Sequence, residues 1–394
     1  MFDGTNIMQL EQQLDRCLAR PRVAVAARPS LAYAAGRWSA AVWDQAAAAG
    51  PIELAAGEVS QAFEVAQRPV FIFGAHRSGT TLVRDLLDSH PALAVMPAEG
   101  TFFTNLEHRL CRSPQAQWLQ DLACEWLRRL ANPIHQEPYW LLGASTAERS
   151  PYVEFARAAM AWWPLTQERL ARVVSSWPLV AMALAYAHCT TGFARPARLQ
   201  RWAEKTPTNE RFLDKLRAEF PDAKLIHVVR HPFAVYASHK REKQVVGQPF
   251  RAGNRVLRDL GRSYRVALEQ ARGAPGDYML VRTEDLLGST PSTVERLAAF
   301  LEIEPHPVLL RPTAAGLPVP SNSSYTAGGT PGRVYPAHRR WTETLTRFEC
   351  ARVTAAVGER ATALGYRVAP LAPWRARLLR LTAGFTAISE RARR

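Results

Sequence analysis

Cysteine is scarce in this 394-residue chain, with five residues at Cys17, Cys111, Cys124, Cys189 and Cys350 and no Cys-x-x-Cys pair. That spacing excludes a zinc ribbon or a thioredoxin-like site, and an odd count without a disulfide framework fits a reducing compartment. Long hydrophobic runs are also missing. The longest apolar stretch, from about Trp177 to Ala187, is broken by His188 and is too short to span a bilayer. The opening Met1-Phe2-Asp3-Gly4 lacks the basic region and apolar core of a secretory signal, so a soluble cytoplasmic protein is expected. Lysine is confined to Lys205, Lys215, Lys224, Lys240 and Lys243. Even so, Lys+Arg outnumbers Asp+Glu by 50 to 35, a formal net charge of +15 carried mostly by arginine. A field of that sign favours anionic partners, and arginine forks suit phosphate. The 47% hydrophobic and 22% charged composition is otherwise globular, which excludes a disordered chain, a collagen or a coiled-coil rod.

Hydrophobic patterning then divides the chain. Residues 1–68 are Ala-rich and helical, cut by Pro21, Pro29 and Pro51, and read as a helical cap. Pro69-Val70-Phe71-Ile72-Phe73-Gly74 is a continuous apolar run that predicts a strand buried on both faces of a parallel sheet. Further strands are expected at Leu93–Met96, near Leu199–Trp202, at Lys224–Val229 and at Tyr278–Val281. Helices are expected at about Thr80–Ser89, Thr208–Phe220, Arg255–Arg272 and Pro291–Leu301, with another starting at Pro232. Residues 101–198 read as mainly helical. Strands alternating with helices predict an α/β fold, a P-loop-like parallel sheet of about five strands with helices on both faces. Helices near 343–364 and 374–390 close the chain.

The segment Gly74-Ala75-His76-Arg77-Ser78-Gly79-Thr80-Thr81 joins a buried strand to a helix. Unpaired N–H groups and the positive dipole end at a helix start favour an anion. Gly79 lets the backbone approach closely, Ser78, Thr80 and Thr81 add hydroxyls, and Arg77 adds a cation. The Gly74-x-x-x-x-Gly79 spacing matches the triphosphate P-loop, but Thr80 stands where that loop has its lysine. A second segment, Lys224 through Ser238, ends its strand at Arg230. Pro232 makes the following turn tight, so Ser238, eight residues on, reaches the same ligand.

Together these segments resemble the sulfotransferases that use 3′-phosphoadenosine 5′-phosphosulfate, most closely a bacterial branch akin to the tyrosylprotein enzymes. Further likenesses are Leu86-Leu87-Asp88-Ser89-His90-Pro91, Pro97-Ala98-Glu99-Gly100-Thr101-Phe102-Phe103, Glu204-Lys205-Thr206-Pro207 and Val281-Arg282-Thr283-Glu284-Asp285-Leu286. His231-Pro232-Phe233 stands where many members have Asp-Gly-Arg, and Thr283 replaces the usual Tyr. The resemblance implies a sulfotransferase domain over 69–345, with 101–198 as an acceptor-binding insertion and 346–394 as C-terminal helices.

It also implies roles. Ser78, Gly79, Thr80 and Thr81 would cradle the 5′ end of the donor. Arg77 and Lys205 would stabilise the transferring group, and Arg230 and Ser238 would hold the 3′-phosphate. No metal is required, because cations and N–H groups carry the charge. Glu99 is the expected general base toward a small-molecule, sugar, lipid or peptide hydroxyl acceptor, with His76 and His108 behind it. Arg333, or Arg339, would cover the nucleotide. Phe102, Phe103, Trp140, Trp162 and Trp163 are candidates for the acceptor pocket. A P-loop kinase or nucleotide hydrolase is the alternative enzyme, and Thr80 argues against it. A non-catalytic anion- or nucleic-acid-binding module is the other alternative. No nucleic-acid motif occurs, so no nucleic-acid partner is expected. In the tail, Trp374, Leu378, Leu381, Phe385 and Ile388 share one helical stripe, and residues 374–394 carry a net charge of +5. That pattern fits either a helix docked on the domain or a peripheral contact with an anionic membrane, such as the inner membrane face.

Overall fold

The computed structural model describes residues 7–18, 28–131, 139–143, 150–190, 199–245, 247–273, 275–321, 329–336 and 340–379. Its centre is a parallel sheet of β1 (Pro69–Phe73), β2 (Leu93–Glu99), β3 (Arg201–Lys205), β4 (Lys224–Val229) and β5 (Tyr278–Arg282), in the order β2-β3-β1-β4-β5. All five residues of β1 are buried. Alternate side chains feed two cores. Phe71 and Phe73 face the N-terminal helices and the helices of the 101–198 region, while Val70 and Ile72 face helices Thr80–Leu87 and Thr290–Leu301.

Chain order reverses beside β1. After β1 the chain crosses to the β2 edge, and after β3 it returns past β1 to β4. The carboxyl ends of β1 and β4 therefore flank the crevice where open α/β sheets take ligands.

The expected third strand lies further along, at Arg201–Lys205 instead of near Leu199–Trp202. It is buried throughout although three of its five residues are charged, and that polarity hides it from a search for apolar runs. The helix expected over Thr208–Phe220 begins as a 3₁₀ turn, Asn209–Phe212, before the α-helix Leu213–Glu219. The helix expected near 343–364 is a short turn, Trp341–Thr344, followed by Arg347–Ala363. A capping box between Thr346 and Glu349 starts the longer piece.

The N-terminal helices Ile7–Leu18, Arg28–Ala49 and Ala56–Ala66 share one core with Trp118–Ala131, Ser150–Leu170 and Trp177–Thr190. Trp38 is fully buried there and donates to Glu11 at 3.1 Å, and Trp140 packs edge-on against it at 5.1 Å. Trp202 of β3 donates to the Ala66 carbonyl at 3.1 Å and ties this layer to the sheet. These three N-terminal helices thus complete a helical layer with those of the 101–198 region. At the other edge, Arg347–Ala363 packs against Gly253–Gly273. Of the expected tail helix, 373–379 is helical with Trp374 and Leu378 exposed, and 380–394 lie outside the described residues. No described helix is long and apolar enough to cross a membrane.

Candidate active site

The loop after β1 owes its shape to two residues with positive φ, Arg77 at 70° and Gly79 at 96°. Gly79 is the N-cap of Thr80–Leu87, with no side-chain cap, so the opening N–H groups remain available to an anion. A side chain at Gly79 would be strained in φ and would bring its Cβ within 2.7 Å of the Thr283 hydroxyl. That hydroxyl donates to the Ser78 carbonyl, so Thr283 buttresses the loop from the end of β5. The Ser78 hydroxyl is buried without a hydrogen-bond partner among the described residues. Such a group costs about 1–3 kcal/mol, and a ligand oxygen would offset that cost. Thr80 is buried beside it and Thr81 is half-buried.

The second segment meets the first directly. Arg77 Nε donates to Ser238 Oγ at 3.0 Å, and Arg230 Nη1 donates to the Arg77 carbonyl at 3.1 Å. Burial lowers the Arg77 pKa. Tyr264 donates to the Arg230 carbonyl, and the His231 N–H donates to Glu284 at 2.8 Å, which together hold the turn after β4. The Arg77 guanidinium, expected at the 5′ end, thus lies with Ser238 and links the two candidate segments.

Glu99 and Lys205 form the third part. Register between β2 and β3 advances four residues on β2, from Val95 to Glu99, against two on β3, from Ala203 to Lys205. Pro97 lies inside that irregularity and has no N–H for the ladder. The bulge brings Glu99 level with Lys205, and Lys205 Nζ donates to Glu99 Oε1 at 2.7 Å. Burial lowers the Lys205 pKa, and the Glu99 charge opposes that shift. His76 lies within electrostatic reach of both. Desolvation lowers its pKa against the Glu99 charge, which favours the neutral imidazole.

Around this pair are residues that sequence reasoning missed. Arg129 donates to the Glu99 and Gly100 carbonyls, the latter at 2.9 Å, and to Thr101 Oγ1 at 2.9 Å. Glu204 accepts from the Gly100 N–H at 3.0 Å, from Thr206 Oγ1, and from Asn209 Nδ2 at 3.1 Å. Burial pushes Glu204 up to about 7. Thr283 showed only as a departure from a motif. Arg129 carries no signal beyond helical spacing from Glu125.

His108 is exposed on the helix Glu107–Leu110. Arg333 is exposed, with its guanidinium over the Tyr335 ring at 5.9 Å, and Arg339 lies outside the described residues. Phe102, Phe103, Trp140, Trp162 and Trp163 are buried in the helical core, where they pack the layer together.

The fold and these loops define an α/β protein with a candidate anion site at the carboxyl end of its sheet. The family model for the sulfotransferase family matches residues 69–307, more than half of the chain, and the chain belongs to that family. The structure is similar to the sulfotransferase domain of the olefin synthase from Synechococcus PCC 7002, at 22% identity over 77% of this chain and 96% of that one, with a TM-score of 0.46. It is also similar to the sulfotransferase domain from the curacin biosynthetic pathway, at 19% identity over 76% and 98%, TM-score 0.42. A third similar structure is sulfotransferase STF1 from Mycobacterium tuberculosis H37Rv, at 17% identity over 78% and 86%, TM-score 0.37. No curated relative matches the chain.

Proposed function

We propose that this sulfotransferase moves a sulfuryl group from 3′-phosphoadenosine 5′-phosphosulfate to a hydroxyl acceptor by in-line displacement, within a catalytic domain spanning 69–345. The observation that carries the proposal is the buried Ser78 hydroxyl, without a hydrogen-bond partner among the described residues, in a loop joined through Arg77 to Ser238 and Arg230. Two anionic ends of one nucleotide fit that continuous site, and no lysine follows Gly79 to serve a triphosphate.

In this reading Ser78, Thr80, Thr81 and the N–H groups at Gly79 hold the 5′ end. Arg230 and Ser238 hold the 3′-phosphate, with Arg333 over the nucleotide. The donor supplies the activated sulfuryl group. Glu99 takes the acceptor's hydroxyl proton, the acceptor oxygen bonds to sulfur, and the bond from sulfur to the phosphate oxygen breaks. Lys205, and Arg77 once its guanidinium exchanges Ser238 for the 5′ end, meet the charge that collects on the sulfuryl and leaving-phosphate oxygens. Lys205 exchanges part of its contact with Glu99 for those oxygens, which leaves the carboxylate facing the acceptor. Adenosine 3′,5′-bisphosphate, the product, binds on the order of micromolar Kd without magnesium. Calorimetry checks this, and much tighter binding of ATP with magnesium would overturn it. Transfer of radiolabel from the phosphosulfate across a panel of alcohols and phenols identifies the acceptor.

The exposure of Trp374 and Leu378 favours one more reading, in which the tail rests on an anionic bilayer. These side chains stand one helical turn apart, beside Arg375 and Arg377, and both are exposed. Full-length protein is expected to pellet with anionic vesicles at low salt more than a 1–372 truncation. Equal pelleting would refute this.

A further inference from the structure

Glu99 ends β2, and Gly100 and Thr101 turn away from the sheet after it. Thr101 has a φ of 49°, a conformation that a β-branched residue seldom adopts unless something holds it there. Two groups of side chains do so, from opposite sides. Arg129 reaches across from the helix Trp118–Ala131 and spans three consecutive residues, through the carbonyls of Glu99 and Gly100 and the hydroxyl of Thr101. Its own guanidinium is fixed by Glu125, at 3.1 Å from Nε and 2.9 Å from Nη2.

From the sheet side, Glu204 accepts the Gly100 N–H, and Thr206 accepts the Thr101 N–H at 2.7 Å while donating to Glu204. Gly100 is indispensable to this contact, because a Cβ there would run into the Glu204 carboxylate. Strand alternation places Glu204 and Lys205 on opposite faces of β3. One residue therefore grips the turn while its neighbour meets the carboxylate that the turn presents. A hydrogen-bonded brace with charged groups on both sides is far more than surface loops usually have, and the chemistry-bearing side chain of this turn is Glu99.

We propose that Arg129 and Glu204 are positioning residues, which brace the Glu99–Thr101 turn from two sides and so hold the Glu99 carboxylate against Lys205 and the acceptor hydroxyl. The inference rests on Glu99 being the base.

The test uses the full chain with Arg129→Met, Arg129→Lys and Glu204→Gln. Hydrogen exchange followed by mass spectrometry reads the amides of Gly100 and Thr101. They are expected to exchange ~10-fold or more faster in Arg129→Met and Glu204→Gln, with β4 protection unchanged. The kcat for transfer to a phenol probe, or to water where no phenol is accepted, is expected to fall ~10²-fold, as for an ångström-scale misplacement. The donor KM and the affinity for adenosine 3′,5′-bisphosphate stay within ~2-fold. Arg129→Lys, which keeps a cation able to reach one carbonyl, recovers part of kcat. Unchanged exchange at Gly100 and Thr101 would overturn the proposal, as would retained kcat despite faster exchange. Joint loss of bisphosphate affinity and β4 protection would also overturn it, by showing a general structural role. Failure of the wild-type chain to bind the bisphosphate would instead defeat the donor reading, leaving the exchange result to judge the brace.

Discussion

At the amino-terminal edge of the sheet, Arg68, Arg201 and Lys224 converge on one carboxylate, Glu302, at 3.2, 2.9 and 2.9 Å. Arg201 is buried and also donates to the carbonyls of Leu301 and Asp222, at 3.1 and 3.0 Å. The hydrogen bond from Lys224, with Arg201 beside it, holds the Glu302 pKa below the usual carboxylate range. At the carboxyl-terminal edge the balance differs. Arg77, Arg230 and Lys205 gather around a loop whose Ser78 hydroxyl has no partner among the described residues, and Glu204 and Glu210 are both pushed up to about 7 by burial. One edge joins strand starts to a helix end through three cations that share one carboxylate. The other keeps a buried serine hydroxyl with no protein partner among the described residues. The same residue types serve both ends, so arginine content alone does not separate structure from site.

The sharpest way to break the comparison is Glu99→Gln. Turnover with a hydroxyl acceptor is expected to fall by ~10²–10⁴, with bisphosphate affinity nearly unchanged. Steady-state kinetics beside calorimetry reads both. Near-normal turnover would pass the base to His76, which shares the electrostatic surroundings of Glu99.

Arg201→Met should act in the opposite sense. Losing the buried cation is expected to lower stability by about 3 kcal/mol in urea unfolding, while the folded protein keeps its bisphosphate affinity. A loss of affinity without a loss of stability would mean that the amino edge belongs to the site.

Arg230→Ala is expected to weaken bisphosphate binding by ~10–100-fold, the scale of one or two charge-assisted hydrogen bonds. Turnover at saturating donor should change less, because the 3′-phosphate is remote from sulfur.

The smallest effect concerns pH. The carboxylate oxygens of Glu210 are buried with no hydrogen-bond partner among the described residues, and burial raises its pKa from 4.5 to about 7. Between those values the folded chain holds a proton that the unfolded chain has released, so stability falls as pH rises through that window. In Glu210→Gln the stability lost between pH 5 and pH 8 should shrink by roughly 2 kcal/mol, read by urea unfolding at both pH values. His227 works the other way. Burial lowers it to about 3, so the stability it contributes is present above pH 6.5 and is lost as pH falls from there.

Legibility in the sequence followed locality. β1, β4 and the helix start at Pro232 were plain, because an apolar run or a fixed φ acts within a few residues. β3 was displaced, because Glu204 and Lys205 look like loop residues until neighbours on both sides bury them. Phe102 and Trp162 looked like pocket walls, and the helical layer took them as core. Arg129 was unreadable, because its partners lie nearly thirty positions away on an irregular turn.

By itself the sequence determined the strand–loop–helix of the candidate site, the absence of a lysine after Gly79, the alternation that makes a parallel sheet, and a basic tail with an apolar stripe. Each depends on a short window whose backbone preference survives in any context. Only the tertiary structure decided that Arg77 turns to Ser238, that a bulge at Pro97 sets Glu99 beside Lys205, and that Thr283, Arg129 and Glu204 support the two loops. Those contacts join residues about 30 to 205 positions apart. Strand order and register bring such residues together, and one residue of slip would turn every side chain to the opposite face.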